Sequence, residues 1–317
     1  MARRILSTAA VVVTGTLPWL QAGPAFGQLP PAPVFRSGVA VVRVAALVQD
    51  RDGRPVSGLA PEDFVLYDGG ERRPIVEFRA ETAPIGVAVL VDGSGSMGLG
   101  TKQERARDVV HHLLSWIEPG ADEVALLRFD SALSIVQPFT TAPPLVTRQL
   151  GRLVAFGQTS LYDAVARASR EVAGLRPLRQ AIAVVTDGID TSSRLDPAVV
   201  ARVASTSDVP VYILAVERPA SARPAARPVS GARASLGELA RWTGGQMFVV
   251  DTPAAASIAA RRIVTELRSH YLIGFEANDQ AGWHTIAVRM RKAGLVVRAR
   301  SGYAGGRHIG KLKEEGG

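Results

Sequence analysis

Residues 92–98 read DGSGSMG and directly follow the β-branched apolar run IGVAVLV at 85–91. A helix-patterned segment, 102–117, comes after them. The loop at the strand's carboxyl end therefore carries a carboxylate and two hydroxyls at alternate positions, Asp92, Ser94 and Ser96. Glycines separate the three, and hard oxygen donors in so open a loop suit a divalent cation: magnesium, or else manganese or calcium. The carboxyl ends of strands are also where open α/β sheets take their ligands. The same letters have a second reading. Gly93, Gly95 and Gly98 spell G-x-G-x-x-G between strand and helix, the dinucleotide-binding pattern, with Asp130 after VALLRF as the ribose-binding acid. That reading sets Asp92 beside a pyrophosphate, and Asp130 lies farther from Gly98 than the usual ~20 residues.

More of the constellation lies downstream. Thr159 stands in GQTSLYDAV just before a helix pattern, and Asp187 ends AIAVVTDG, a buried-strand pattern that again stops at a carboxylate. Taken singly, Thr159 would be a helix cap and Asp187 a turn residue. Together, DxSxS, then a threonine, then an aspartate after a central strand resembles the metal-ion-dependent adhesion site of von Willebrand factor A domains. The resemblance implies that Asp92, Ser94, Ser96, Thr159 and Asp187 surround one divalent ion, directly or through water. It also implies an open position for a carboxylate from a partner. The dinucleotide reading uses neither Thr159 nor Asp187. The chain departs from the family pattern at Gly93, often threonine, and at Gln158, often glycine; neither position supplies a ligand side chain. Asp190 is either a sixth member of this neighbourhood or an Asx turn, and Asp163 suits the start of a helix through the dipole.

From residue 85 onward strand and helix patterns alternate, which implies a mainly parallel, doubly wound sheet covered by helices on both faces. Strands are expected at 85–91, 123–129, 181–186, 209–216 and 246–250, with a short edge strand at 133–139. Helices are expected at 103–117, 143–154, 161–174, 196–206, 234–243 and 254–269. The flanks read differently. Alternating strands are expected at 36–50, 64–67 and 75–79, and a three-stranded meander is expected from YLIGF, WHTIAVRMR and LVVRARSGY. Neither flank has enough strands to bury a core alone, so the two are expected to pair with each other. The flanks also resemble, more loosely, a bacterial von Willebrand factor A-related family in which both ends build one immunoglobulin-like sandwich. The expected fold class is thus α/β, a doubly wound mainly parallel sheet with a flanking β sandwich. The expected division is a signal peptide 1–27, a proline-rich leader 28–35 and a β segment 36–82. An α/β domain 84–253, a connecting helix 254–269, a second β segment 270–304 and a tail 305–317 follow.

The first 27 residues read as an export signal: Arg3 and Arg4, an apolar core at 5–20, and Ala25-Phe26-Gly27 for cleavage. A retained anchor is the other reading of that segment; no later run is apolar for the ~18 residues a span requires. The formal charge of +8 falls to +6 without those two arginines. The remaining excess is scattered and lacks interleaved aromatics, which argues against a nucleic-acid partner. With no cysteine, thiol catalysis, thiolate metal sites and disulfides are excluded. Residues 219–228 (PASARPAARP) read as a solvated insertion.

Catalytic alternatives are thin. His111 and His112 face about 100° apart on a helix and cannot share a metal. His270, His284 and His308 fall in the β region with no G-x-S-x-G elbow beside them, and no phosphate-binding G-x-x-x-x-G-K-[ST] occurs. Tyr271 and Trp283 are expected to pack the β core. Two full carboxylates with neutral hydroxyls leave a divalent ion electrophilic, which suits recognition of an Asp or Glu and, with no positioned base, does not suit hydrolysis. The expected function is an exported, non-enzymatic, metal-dependent protein-binding module, secreted or periplasmic. The alternative is an accessory or assembly factor of an envelope enzyme complex, gated by the same metal site.

Overall fold

A computed structural model describes residues 40–80, 83–173, 179–216, 231–278 and 280–306, without side-chain detail at 231–234. The expected signal peptide and leader, the 219–228 insertion and the tail from 307 onward lie outside the described residues. So does His308.

The first strands in chain order are β1 (Val41–Gln49), β2 (Phe64–Asp68), β3 (Glu71–Arg73) and β4 (Glu77–Arg79). The middle of the chain alternates: β5 (Ile85–Asp92), α1 (Lys102–Leu114), β6 (Glu123–Phe129), β7 (Leu133–Thr140), α2 (Pro143–Leu150) and α3 (Leu161–Val172). It continues with β8 (Arg179–Thr186), α4 (Pro197–Thr206), β9 (Val211–Val216), α5 (Gly231–Trp242), β10 (Met247–Val250) and α6 (Pro253–Arg268). Four strands follow: β11 (Tyr271–Glu276), β12 (Gly282–Met290), β13 (Val296–Ala299) and β14 (Gly302–Gly305).

The middle strands form one sheet of order β10-β9-β8-β5-β6-β7, parallel except for β7. Every residue of β5 is buried, as an apolar run without alternation requires of a strand covered on both faces. Successive side chains point to opposite faces, so β5 feeds two cores. Val87, Val89 and Val91 pack with α1, α2 and α6, while Ala88 and Leu90 pack with α3, α4 and α5. This is the doubly wound arrangement, and its order reverses between β5 and β8. A crevice opens there because the two following segments leave toward opposite sides. Asp92 ends one of these strands and Asp187 follows the other.

The flanking strands form two antiparallel sheets, β13-β1-β11-β4 and β14-β12-β2-β3, each built from both flanks. One buried cluster, including Val44, Phe64, Leu66, Ile273, Phe275 and Tyr303, draws on both. The expected pairing of the flanks is found: β1 with β11 and β13, β2 with β12. The expected meander is not. β11 and β12 belong to different sheets, and LVVRARSGY divides into β13 and β14, one in each sheet. The break falls where Arg300 is pinned. Its buried guanidinium donates to the Ser205 carbonyl at 2.7 Å and pairs with Asp208 at 3.1 Å, and the Ser301 N–H donates to the Trp242 carbonyl. Period-2 geometry also overturns the core role expected of Trp283. It lies opposite Ala304 and is partly exposed, while its neighbours along β12 alternate inward. Tyr271 is buried as expected, its hydroxyl donating to the Val56 carbonyl at 2.9 Å.

A buried charge network joins the layers. Glu266 of α6, fully buried, takes hydrogen bonds from Gln49 of β1 at 3.1 Å and from Arg298 of β13, and pairs with Arg262 at 3.4 Å. Among the described residues no helix is long and apolar enough to cross a membrane.

Candidate metal centre

Three loops meet at the crevice between β5 and β8. The first, after Asp92, takes one 3-10 turn at Gly95–Gly98 before α1. Asp92 Oδ1 accepts the Ser94 N–H at 2.9 Å, which curls the loop so that the Ser94 and Ser96 hydroxyls lie 3.1 Å apart and share a hydrogen bond. The second loop leads to Thr159. It is stitched to the first by Phe156 N–H to the Gly93 carbonyl at 2.7 Å and Gly95 N–H to the Gly157 carbonyl at 2.9 Å. The third follows β8 and is tied to the second, because the Thr159 carbonyl accepts the N–H groups of Thr191 and Ser192 at 2.9 and 3.0 Å.

These ties explain several individual side chains. The first N–H groups of α3 are not capped by Thr159 or Ser160. They reach across to the third loop, Tyr162 N–H to Ser193 Oγ at 3.0 Å and Leu161 N–H to Asp190 Oδ1 at 3.4 Å. Asp190 is thus the turn-former, accepting also from Ser193 N–H at 3.2 Å. Asp163 does more than face the helix dipole, since its carboxylate accepts the N–H groups of Arg194 and Leu195. Asp130 turns the β6–β7 hairpin by accepting from Ala132 N–H and pairs with Arg128 at 2.8 Å. Arg128 also explains Gly93. A Cβ there would run into its guanidinium arm, which reaches the Gly93 and Phe156 carbonyls instead.

Of the expected site residues, Asp92, Ser94, Thr159 and Asp187 are buried and Ser96 is half-buried. The Asp187 carboxylate is near enough to Asp92 to disfavour its charge. Burial first, and the Asp187 charge after it, push the Asp92 carboxyl up from its ordinary value. Hydrogen bonds from Thr186 Oγ1 at 2.6 Å and from Ser94 oppose that shift. Thr186 and Lys102 are the two members that sequence reasoning missed. Thr186 donates to Asp92 Oδ2 while accepting the Gly188 N–H at 3.0 Å. Lys102, at the start of α1, extends its ammonium to Asp187 Oδ2 at 2.7 Å. A polar residue abutting the strand-end aspartate flags Thr186; nothing local flags Lys102, which the α1 packing delivers.

The donor set decides what could be held here. Among the described residues no group of three or more His, Cys, Asp and Glu is placed to bind a metal. An ion in this crevice would therefore rest on two carboxylates and neutral hydroxyls, a hard-oxygen set suited to magnesium or manganese. Two carboxylates against one ammonium also leave one negative charge in excess, which a divalent cation displacing the lysine would cancel. The residues fit such an ion.

Residues 87–189 match the family model of the von Willebrand factor type A domain. No curated protein matches the chain. Among solved structures, an aerotolerance-related membrane protein from Bacteroides fragilis is 22% identical, covering 58% of this chain and 98% of its own, with a TM-score of 0.47. A von Willebrand factor type A protein from Catenulispora acidiphila is 14% identical over 86% of this chain and 76% of its own, TM-score 0.48. Proximal thread matrix protein 1 from the mussel byssus, with zinc in its metal-ion-dependent adhesion site, is 11% identical over 63% and 49%, TM-score 0.47.

Proposed function

We propose that this chain, which carries a von Willebrand factor type A domain at residues 87–189, is an exported, non-catalytic binding protein. It captures an Asp or Glu side chain of a protein partner through a divalent cation. Asp92, Ser94, Ser96, Thr159 and Asp187 hold the ion, magnesium or manganese, directly or through water. The two flanking sheets form one sandwich that supports the α/β domain 84–253, and the export signal is residues 1–27.

The observation that carries this reading is the convergence of three loops on one buried, net-negative cluster of oxygen donors at the β5–β8 crevice. Burying two carboxylates is costly unless a cation neutralises them. Held by these residues, a divalent ion would supply Lewis acidity toward an anionic oxygen of the partner. The residues of this chain do the rest: Thr186 and the Ser94 N–H fix the Asp92 carboxylate, and the loop ties fix the hydroxyls. With both crevice carboxylates committed to the ion, neither is free to act as a general base, which favours recognition over hydrolysis.

Calorimetric titration of chelator-treated protein with magnesium should show one site. Asp92→Asn, which keeps the shape and removes the charge, should lower the affinity by at least about ten-fold, and Thr159→Ala by about ten-fold on losing one neutral donor. Ion binding of unchanged affinity in Asp92→Asn would refute the assignment.

A further inference from the structure

The three most exposed large apolar side chains among the described residues are Phe156 (78%), Val154 (72%) and Leu99 (67%). All three stand on loops that carry the crevice's oxygen donors. Leu99 closes the 3-10 turn that contains Ser96, its N–H donating to the Ser96 carbonyl at 3.3 Å. Phe156 is held to Gly93 by its own N–H at 2.7 Å, and Val154 lines a small cleft together with Asp92 and Gly93. A fourth, Ile189 at 50%, belongs to the loop after β8, and its N–H donates to Asp187 Oδ1. The periodicity of 143–154 gives no warning of this. The helix expected there ends at Leu150, and the chain then runs without regular structure to Ser160, leaving Val154 and Phe156 outward.

Single apolar side chains scattered over a surface are ordinary, but several around one polar recess form a patch. Here Asp92, Ser94, Thr159 and Asp187 are buried, while the apolar side chains on the same three loops project into solvent. We propose that Leu99, Val154, Phe156 and Ile189 form an apolar collar that selects the partner by what flanks its acidic residue. The occupant is an extended protein segment whose Asp or Glu stands between bulky apolar side chains. The carboxylate descends to the ion while its neighbours cover the collar. This selection rests on the metal-dependent reading above.

The test uses the full chain with magnesium and short synthetic peptides, read by fluorescence anisotropy. One peptide places glutamate between leucine and phenylalanine, one between two serines, and one replaces the glutamate of the first by glutamine. The apolar-flanked glutamate peptide should bind about ten-fold or more tighter than the serine-flanked one, and the glutamine peptide should not bind. Combining Val154→Ser with Phe156→Ser should reduce the first peptide to the level of the second while leaving the magnesium titration unchanged. Equal binding of both glutamate peptides, or indifference to the double substitution, would overturn the collar and leave the ion site standing. A failed magnesium titration would instead remove the reading beneath it. Binding to anionic vesicles, or a concentration-dependent dimer, that disappears in the double variant while neither glutamate peptide binds would overturn the proposal in favour of a lipid surface or a second copy.

Discussion

Lys102 is the residue whose replacement separates the crevice's two states. Its ammonium lies 2.7 Å from Asp187 Oδ2, with the lysine side chain 20% exposed and the aspartate side chain 3%. Lys102→Met keeps the length and the apolar stem and removes only the charge. Two effects of opposite sign follow. Without metal, Asp187 loses a charge-assisted hydrogen bond of the kind worth ~1.5–3 kcal/mol, and the lysine's partial exposure places the loss near the low end. The metal-free variant should therefore melt several degrees lower. With metal, the wild-type protein must first surrender that bond, and a lysine left in place would repel the ion. A unit charge pair about 4 Å apart at an effective dielectric of 20 interacts by about 4 kcal/mol, twice that for a divalent ion, so the ammonium must swing out along its flexible stem. The cost left to the wild type is the bond it gave up, on the order of 1.4 kcal/mol, a factor of ten in affinity. Isothermal titration of chelator-treated protein should show Lys102→Met binding magnesium about ten-fold more tightly, and thermal melts should show it less stable without the ion. Magnesium affinity equal to or below wild type would mean that the lysine does not compete for Asp187.

Two further outcomes are expected away from the crevice. His270 is buried, its Nδ1 facing the Leu267 carbonyl at 3.4 Å, and burial pushes its pKa down from 6.5 to about 3. The unfolded chain then binds the extra proton between those values, so stability falls as pH drops from about 6.5 toward 3, at up to about 1.4 kcal/mol per unit; urea midpoints at pH 7 and pH 4.5 should converge more in His270→Gln than in wild type, and equal losses would refute this. Glu266→Gln leaves Arg298 and Arg262 without their shared carboxylate and should cost roughly 3 kcal/mol in equilibrium unfolding, with a change below about 1 kcal/mol counting against the network.

What was legible in the sequence was whatever a short window encodes. Unbroken apolar runs such as 85–91 announced strands covered on both faces, and the carboxylates ending two of them announced the crevice. Asp92, Ser94 and Ser96 could be read together because they share one loop; Asp187 was marked by its strand end, but that it and Thr159 face the same ion came only through resemblance, since spacing alone does not bring distant loops together. Lys102 stayed hidden because its meaning lies in Asp187, on another strand. The same limit explains the flanks. Alternation identified β12, yet no local feature said that Arg300 would be gripped by the α4–α5 region and divide the final strand pattern between two sheets. The end of α2 was misjudged for a different reason. Leu153 and Ala155 continue to pack inward after the helix stops, so an apolar rhythm persists where the helix does not.

β4 and β11, through which the chain enters and leaves the α/β layer, are hydrogen-bonded neighbours, with Glu77 opposite Gly274 and Arg79 opposite Leu272. A pull applied between residues 40 and 306 would enter β1 and β14 and travel through the antiparallel ladders. The β4–β11 ladder closes the circuit before the tension reaches β5. The crevice thus lies on a side branch, outside the path of mechanical load. Strain on the flanking strands would then leave the loops that carry Asp92, Thr159 and Asp187 undistorted.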